Sequence, residues 1–103
     1  MIHVIATIEL HEGKRDAFLA EFRKLVPLVR AEEGCLEYGP AVDVGAGLAL
    51  QGAIRPHVVT VVEKWANLDA LKKHLQAPHM IAYRPKVKDF VQGTTLQVLA
   101  PLD

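Results

Sequence analysis

The sequence predicts an α+β fold whose elements follow the order β-α-β-β-α-β. Three observations carry this reading. Apolar residues alternate with period two from Ile2 to Leu10, they recur in steps of three and four from Lys14 to Glu33, and a comparable succession of strand and helix periodicities returns after Cys35.

Ile2 to Leu10 places apolar side chains at 2, 4, 6, 8 and 10, the spacing of one strand face. Ile5 and Thr7 between them suit a covered opposite face, so an interior strand is expected. His11-Glu12-Gly13 ends it. From Lys14 to Glu33, Phe18, Phe22, Leu25, Val26 and Val29 form one stripe of an amphipathic helix, and Gly34 is a stop signal. Pro27 cannot donate to the carbonyl of Arg23 and predicts a kink. Glu32 and Glu33 oppose the macrodipole at the helix C-terminus, a local violation of the kind that marks interfaces and sites.

Cys35 to Val44 and His57 to Trp65 are the next strands. The Gly-rich stretch from Gly45 to Pro56 between them is long for a hairpin, so either the strands extend into it or it forms a flap that serves as a lid or dimer contact. In the later strand Val59, Val61, Glu63 and Trp65 share one face, and Val58, Thr60, Val62 and Lys64 the other. Asn67 caps a short helix with Leu68, Leu71 and Leu75 expected inward, ending near Ala77-Pro78. Pro78 can open a second helix carrying Met80, Tyr83, Val87, Phe90 and Val91, with a break or bend at Pro85 and a stop at Gly93. Thr94 to Ala100 is the last strand. Two copies of one strand-helix-strand unit give the ferredoxin-like arrangement, an antiparallel sheet with helices on one face. The uncovered face is apolar, and pairing of two sheets in a homodimer is the expected cover.

Composition narrows the function classes. A chain of 103 residues, half of them apolar, fits one domain over 1–103 that buries about two-thirds of its unfolded surface. Twelve basic and twelve acidic side chains cancel, which leaves no field to attract nucleic acid or an anionic membrane. No apolar run approaches the roughly 20 residues of a membrane span. A lone Cys35 offers no disulfide framework, and a reducing cytoplasm is the expected location.

No phosphate loop, nucleophile elbow or zinc spacing is present in the sequence. What converges instead, from the third strand and the helices after it, is Glu63, Trp65, His74, His79, Met80 and Tyr83. His74 follows Leu71 by three and sits at the edge of the apolar stripe, while His79 and Tyr83, four apart, share a helix face. Taken singly, Trp65 and the strand aromatic Tyr38 read equally well as core, and Met80 and Tyr83 read first as core, Tyr83 with its hydroxyl reaching water or a ligand. The two histidines read as helix-edge residues with satisfied hydrogen bonds, and Glu63 as a buried acid that needs a partner.

Glu33-Gly34-Cys35, Tyr38, Glu63-Lys64-Trp65 and the run His74 to Met80 resemble the antibiotic-biosynthesis monooxygenase domain family. Val26-Pro27, Glu32 through Cys35, Val42-Asp43, Ala46-Gly47, Trp65 and the stretch His74 to Tyr83 without Ile81 are similar to its bacterial quinol monooxygenase branch. The chain departs from the haem-degrading branch in having Thr7 where that branch has asparagine, and from the quinol branch at Pro85. The resemblance implies a dimeric α+β barrel and cofactor-independent oxidation of a hydroquinone or related small aromatic polyphenol by dioxygen, with neither flavin nor metal. Within it His74 is the expected base, with His79 the alternate, since an imidazole's ordinary pKa near 6.5 suits proton removal at neutral pH. Trp65 is expected to stack on the substrate ring, Tyr38, Met80 and Tyr83 to form walls, and Glu63 to orient a histidine or the indole N–H. An isomerase or ring-modifying enzyme acting on a small polyketide or signal molecule, and a non-catalytic quinone-binding stress-response module, are the alternatives that the residues leave open.

Overall fold

The computed structural model describes residues 1–103. Its elements are β1 (Ile2–Leu10), α1 (Arg15–Arg30), β2 (Cys35–Ala41), β3 (Val58–Trp65), α2 (Leu68–Leu75), α3 (Pro78–Val87) and β4 (Val91–Leu99). The strands form one antiparallel sheet in the order β2-β3-β1-β4, the ferredoxin-like arrangement expected from the sequence. The two strands whose sequences are apolar on both faces, β1 and β3, take the central places, where each ladder is satisfied on both edges.

The helices cover the face that carries Val4, Ala6, Ile8 and Leu10 of β1 and Val59, Val61 and Trp65 of β3, all buried. Phe18, Phe22, Leu25, Val26 and Val29 of α1 complete this layer, as their spacing predicts. Register then decides which polar groups enter it. Glu63 pairs with Val4 on one side and Tyr38 on the other. The Tyr38 pairing depends on a bulge between Cys35 and Glu37, which restores the phase of β2.

Pro27, where a kink is expected, and Pro85, where a break or bend is expected, both lie inside helices. α1 runs unbroken through Pro27, and α3 runs through Pro85 to Val87. The carbonyls that lose a donor belong to Arg23 and Ile81, both on exposed stretches of their helices, where water can serve them. The second strand ends at Ala41, short of Val44, and Val42 to His57 is a connection without strand structure. Gln51 ties it by accepting from the Ala46 amide at 2.9 Å and donating to the Val44 carbonyl at 2.6 Å. Arg55 and Asp43 close it with a two-pronged ion pair, which holds the Asp43 carboxyl below its usual range. Gly93 stops no helix. It lies within β4, which begins at Val91 and pairs with β1.

The phase of α2 also differs from expectation. Leu68 and Leu75 are exposed, and the buried residues are Leu71 and His74. Asn67 caps the helix as expected, its side chain accepting from the Ala70 amide at 2.9 Å. Gly34, which ends the turn after α1, fixes the approach of α2. It has φ +83°, and a Cβ built there would stand 2.6 Å from the Cβ of Ala70. Only glycine lets the two segments meet this closely.

Candidate functional site

Between the helix-side face of the sheet and α1, α2 and α3 lies a cavity of about 900 Å³. Phe18 and Phe22 of α1, Tyr38 of β2, Met80 and Tyr83 of α3 and Val61 of β3 belong to its largely apolar wall. Phe22 stacks on Phe18 and on Tyr38 with ring centres 5.6 Å apart in each case, and Tyr83 meets Phe22 edge-on. Two groups able to move protons, His74 and Glu63, open onto this wall.

His74 is only 2 % exposed, yet it is fully supported. Its ring lies 4.6 Å from that of Trp65 and meets Tyr38 edge-on at 5.5 Å. Nδ1 lies 2.9 Å from Oε2 of Glu32. A carboxylate only accepts, so this bond holds the proton on Nδ1 and leaves the Nε2 lone pair free. Nε2 has no partner within the protein, and since no fully buried side-chain nitrogen or oxygen lacks one, it reaches the cavity. Burial pushes the His74 pKa down. Glu32 opposes that shift, and the charges of His79 and Arg84 add to it.

The same Oε2 of Glu32 is 2.6 Å from Nε2 of His79, which fixes that imidazole as a second donor. Glu32 is therefore the hub of the site, reaching across 42 and 47 positions of sequence to the two histidines. Its placement against the α1 macrodipole, the anomaly visible in the sequence, is offset by two N–H donors.

Glu63 is 6 % exposed and uses Oε1 to accept from the indole N–H of Trp65 at 2.9 Å. Its second oxygen has no protein donor and faces the cavity. Burial pushes this carboxyl up to about 7, against the Trp65 hydrogen bond that favours its charged form. Tyr38 and Tyr83 are pushed well above the usual phenol range by burial, so both remain neutral hydroxyls. Cys35 is also raised by burial and by Glu32, which disfavours the thiolate.

The structure thus brings Tyr38, Glu63, His74, Met80 and Tyr83 together on one cavity wall. Trp65 and His79 stand behind it. Trp65 is wholly buried, its face spent on His74 and its N–H on Glu63, so it backs the proton-moving groups instead of offering a surface to a ligand. His79 reaches Glu32 and does not line the cavity. Pro85, singled out in the sequence as a departure, is part of the wall.

Residues 1–86 match the family described as antibiotic biosynthesis monooxygenase. This chain belongs to that family. It is 41 % identical over 103 residues to the protein named "Probable quinol monooxygenase YgiN" of Escherichia coli, with 98 % of each chain covered. The crystal structure of PA3566 from Pseudomonas aeruginosa superposes with a TM-score of 0.80 at 27 % identity, covering 99 % of this chain and 94 % of that one. A crystal structure of an antibiotic biosynthesis monooxygenase, 25 % identical, gives 0.81 with both chains fully covered. As a member of the antibiotic biosynthesis monooxygenase family the chain is an oxidoreductase, and no helix in it is long and apolar enough to cross a membrane.

Proposed function

We propose that the protein oxidises a hydroquinone or related small aromatic polyphenol with dioxygen, using proton removal alone to start the reaction. The observation that supports this reading is His74, whose Nδ1 is held by Glu32 while Nε2 faces a large apolar cavity. A neutral hydroquinone is a poor one-electron donor to dioxygen, and its anion is a far better one. A base in a dry pocket therefore supplies the activation, and the substrate supplies both electrons.

In this reading the aromatic ring lies between Phe22, Tyr38, Met80 and Tyr83, with one hydroxyl at Nε2 of His74. Nε2 takes that proton, and Glu32 stabilises the imidazolium that forms. The free oxygen of Glu63 accepts the second hydroxyl proton, a task suited to a carboxyl raised to about 7. Electron transfer to dioxygen then ends in quinone plus hydrogen peroxide, or, if one oxygen atom bonds to the ring, in hydroxyquinone plus water. Both outcomes balance with one hydroquinone and one dioxygen, and the peroxide yield distinguishes them. No flavin or metal enters either sequence.

The reading extends to a homodimer in the reducing cytoplasm, where the single Cys35 stays a thiol. Val62 and Leu99 are 40 % and 48 % exposed on the sheet face turned away from the helices, and Leu50 in the long connection is 100 % exposed. Sheet-to-sheet pairing covers that face, and sedimentation as a monomer would contradict it. For the chemistry, purified protein added to reduced menadione is expected to speed oxygen uptake well above the autoxidation background. Unchanged uptake across several small hydroquinones sinks the proposal.

A further inference from the structure

Apart from Glu63, the only acidic or basic chains on the cavity wall besides His74 are Arg84 and Lys88. They are four residues apart at the end of α3, so they stand on one face of it, and both are exposed. Neither takes part in any of the protein's ion pairs. Arg84 donates one Nη2 hydrogen bond to the Leu75 carbonyl at the end of α2, which fixes its guanidinium at the lip with other N–H groups unspent. Like charges at this spacing repel. A helix C-terminus tolerates cations through its macrodipole, which explains charge in the last turn but not why both chains border a largely apolar cavity.

We propose that Arg84 and Lys88 form an anion subsite, so that the preferred substrate is an aromatic hydroquinone bearing a carboxylate side chain. The identification of the ring rests on the hydroquinone reading above, whereas the subsite itself rests on the two cations. A carboxylate matches the planar fork of a guanidinium, and Lys88 adds a second charge without geometric demand. The ring then sits over Phe22 and Tyr38 with its hydroxyls toward His74 and Glu63, and the acid group stays at the wet rim. This leaves no charge to be desolvated in the apolar interior.

The test uses three ligands built on one naphthoquinone ring: the unsubstituted ring, the ring with a short carboxyalkyl chain, and the methyl ester of that acid as a size-matched neutral control. Calorimetry on the oxidised forms gives binding, and oxygen uptake on the reduced forms gives kcat/KM. The acid is expected to bind roughly tenfold or more tightly than its ester, a preference that fades with added salt. Arg84→Gln and Lys88→Glu should each collapse the acid-to-ester ratio toward one. Lys88→Glu keeps the test decisive if Arg84→Gln fails to fold. Equal affinity for acid and ester, or a ratio unchanged in Lys88→Glu, overturns the subsite even if all three rings are oxidised. Selective binding of the acid with no oxidation of any ring leaves the subsite standing and removes the hydroquinone reading instead.

Discussion

Replacing Glu32 by Gln keeps the shape of the side chain and removes the charge shared by the two imidazoles. Both of its hydrogen bonds end on one oxygen, at 2.9 Å from His74 and 2.6 Å from His79. A hydrogen bond to a charged group contributes about 1.5–3 kcal/mol and a neutral one about 1. When His74 takes a proton, the variant also lacks the carboxylate counter-ion, an attraction of about 4 kcal/mol at an effective dielectric of 20 and a separation near 4 Å. Half or more of that survives screening, because His74 is buried and Glu32 is 13 % exposed. A loss of about 2–3 kcal/mol in the proton-transfer step lowers kcat/KM by roughly 30- to 150-fold. The same substitution deletes the influence that raises the His74 pKa, so burial acts unopposed and the value falls further. Steady-state oxygen uptake measures the first effect, and NMR titration of the His74 ring measures the second without any substrate. A variant with wild-type kcat/KM and an unmoved His74 pKa would refute the assignment of Glu32 as the group that positions this imidazole.

Two further substitutions bear on the framework. Glu63 titrates at about 7 when folded against an ordinary 4.5, so between these values the native state binds more protons than the unfolded one. Its contribution is complete below about pH 4.5 and lost as pH rises through about 7. Glu63→Gln, compared with wild type by urea unfolding, should therefore gain relative stability on going from pH 4.5 to pH 8, by about 3 kcal/mol. A difference that does not change with pH would contradict this. Gly34→Ala must adopt a positive φ of +83° and place its Cβ 2.6 Å from that of Ala70, costing about 2–4 kcal/mol. The melting temperature should fall by roughly 10–25 °C, and a shift within about 3 °C would show that α2 can retreat freely.

The fold was readable where periodicity and register agree. Ile2 to Leu10 alternates cleanly and is β1 at those residues, and the α1 stripe is the one that its steps of three and four describe. Errors arose where tertiary contacts override local preference. Leu68 and Leu75 outrank His74 in hydrophobicity, so the sequence sets the phase of α2 by its leucines, whereas Trp65, Tyr38 and Glu32 give the imidazole a satisfied place inside. Pro27 and Pro85 each remove one helix hydrogen bond, and the carbonyls left free, on Arg23 and Ile81, are exposed where water can reach them, so the helical assignment extends through both. Five of the seven candidate residues meet at the cavity: alternation on β3 places Glu63 there and spacing on α3 places Met80 and Tyr83, while Tyr38 of β2 and His74 of α2 arrive through strand register and helix packing. Trp65 and His79 lie behind the cavity wall, and the sequence shows Glu32 as an acid on the wrong end of a helix and as part of the family-like stretch Glu32 through Cys35, without its partners. Its partners lie on α2 and α3, distant in sequence, and only folding shows that one carboxylate serves both.

The proposed chemistry depends on His74 as the base that faces the substrate and on His79 as a residue behind it. The measurement that tests this most directly is kcat/KM for oxygen-dependent hydroquinone oxidation by His74→Ala and His79→Ala, compared side by side. His74→Ala should lose roughly 100-fold or more, within the range of a positioned general base, while His79→Ala loses less than about tenfold. Wild-type kcat/KM in His74→Ala, or the larger loss in His79→Ala, would contradict the account.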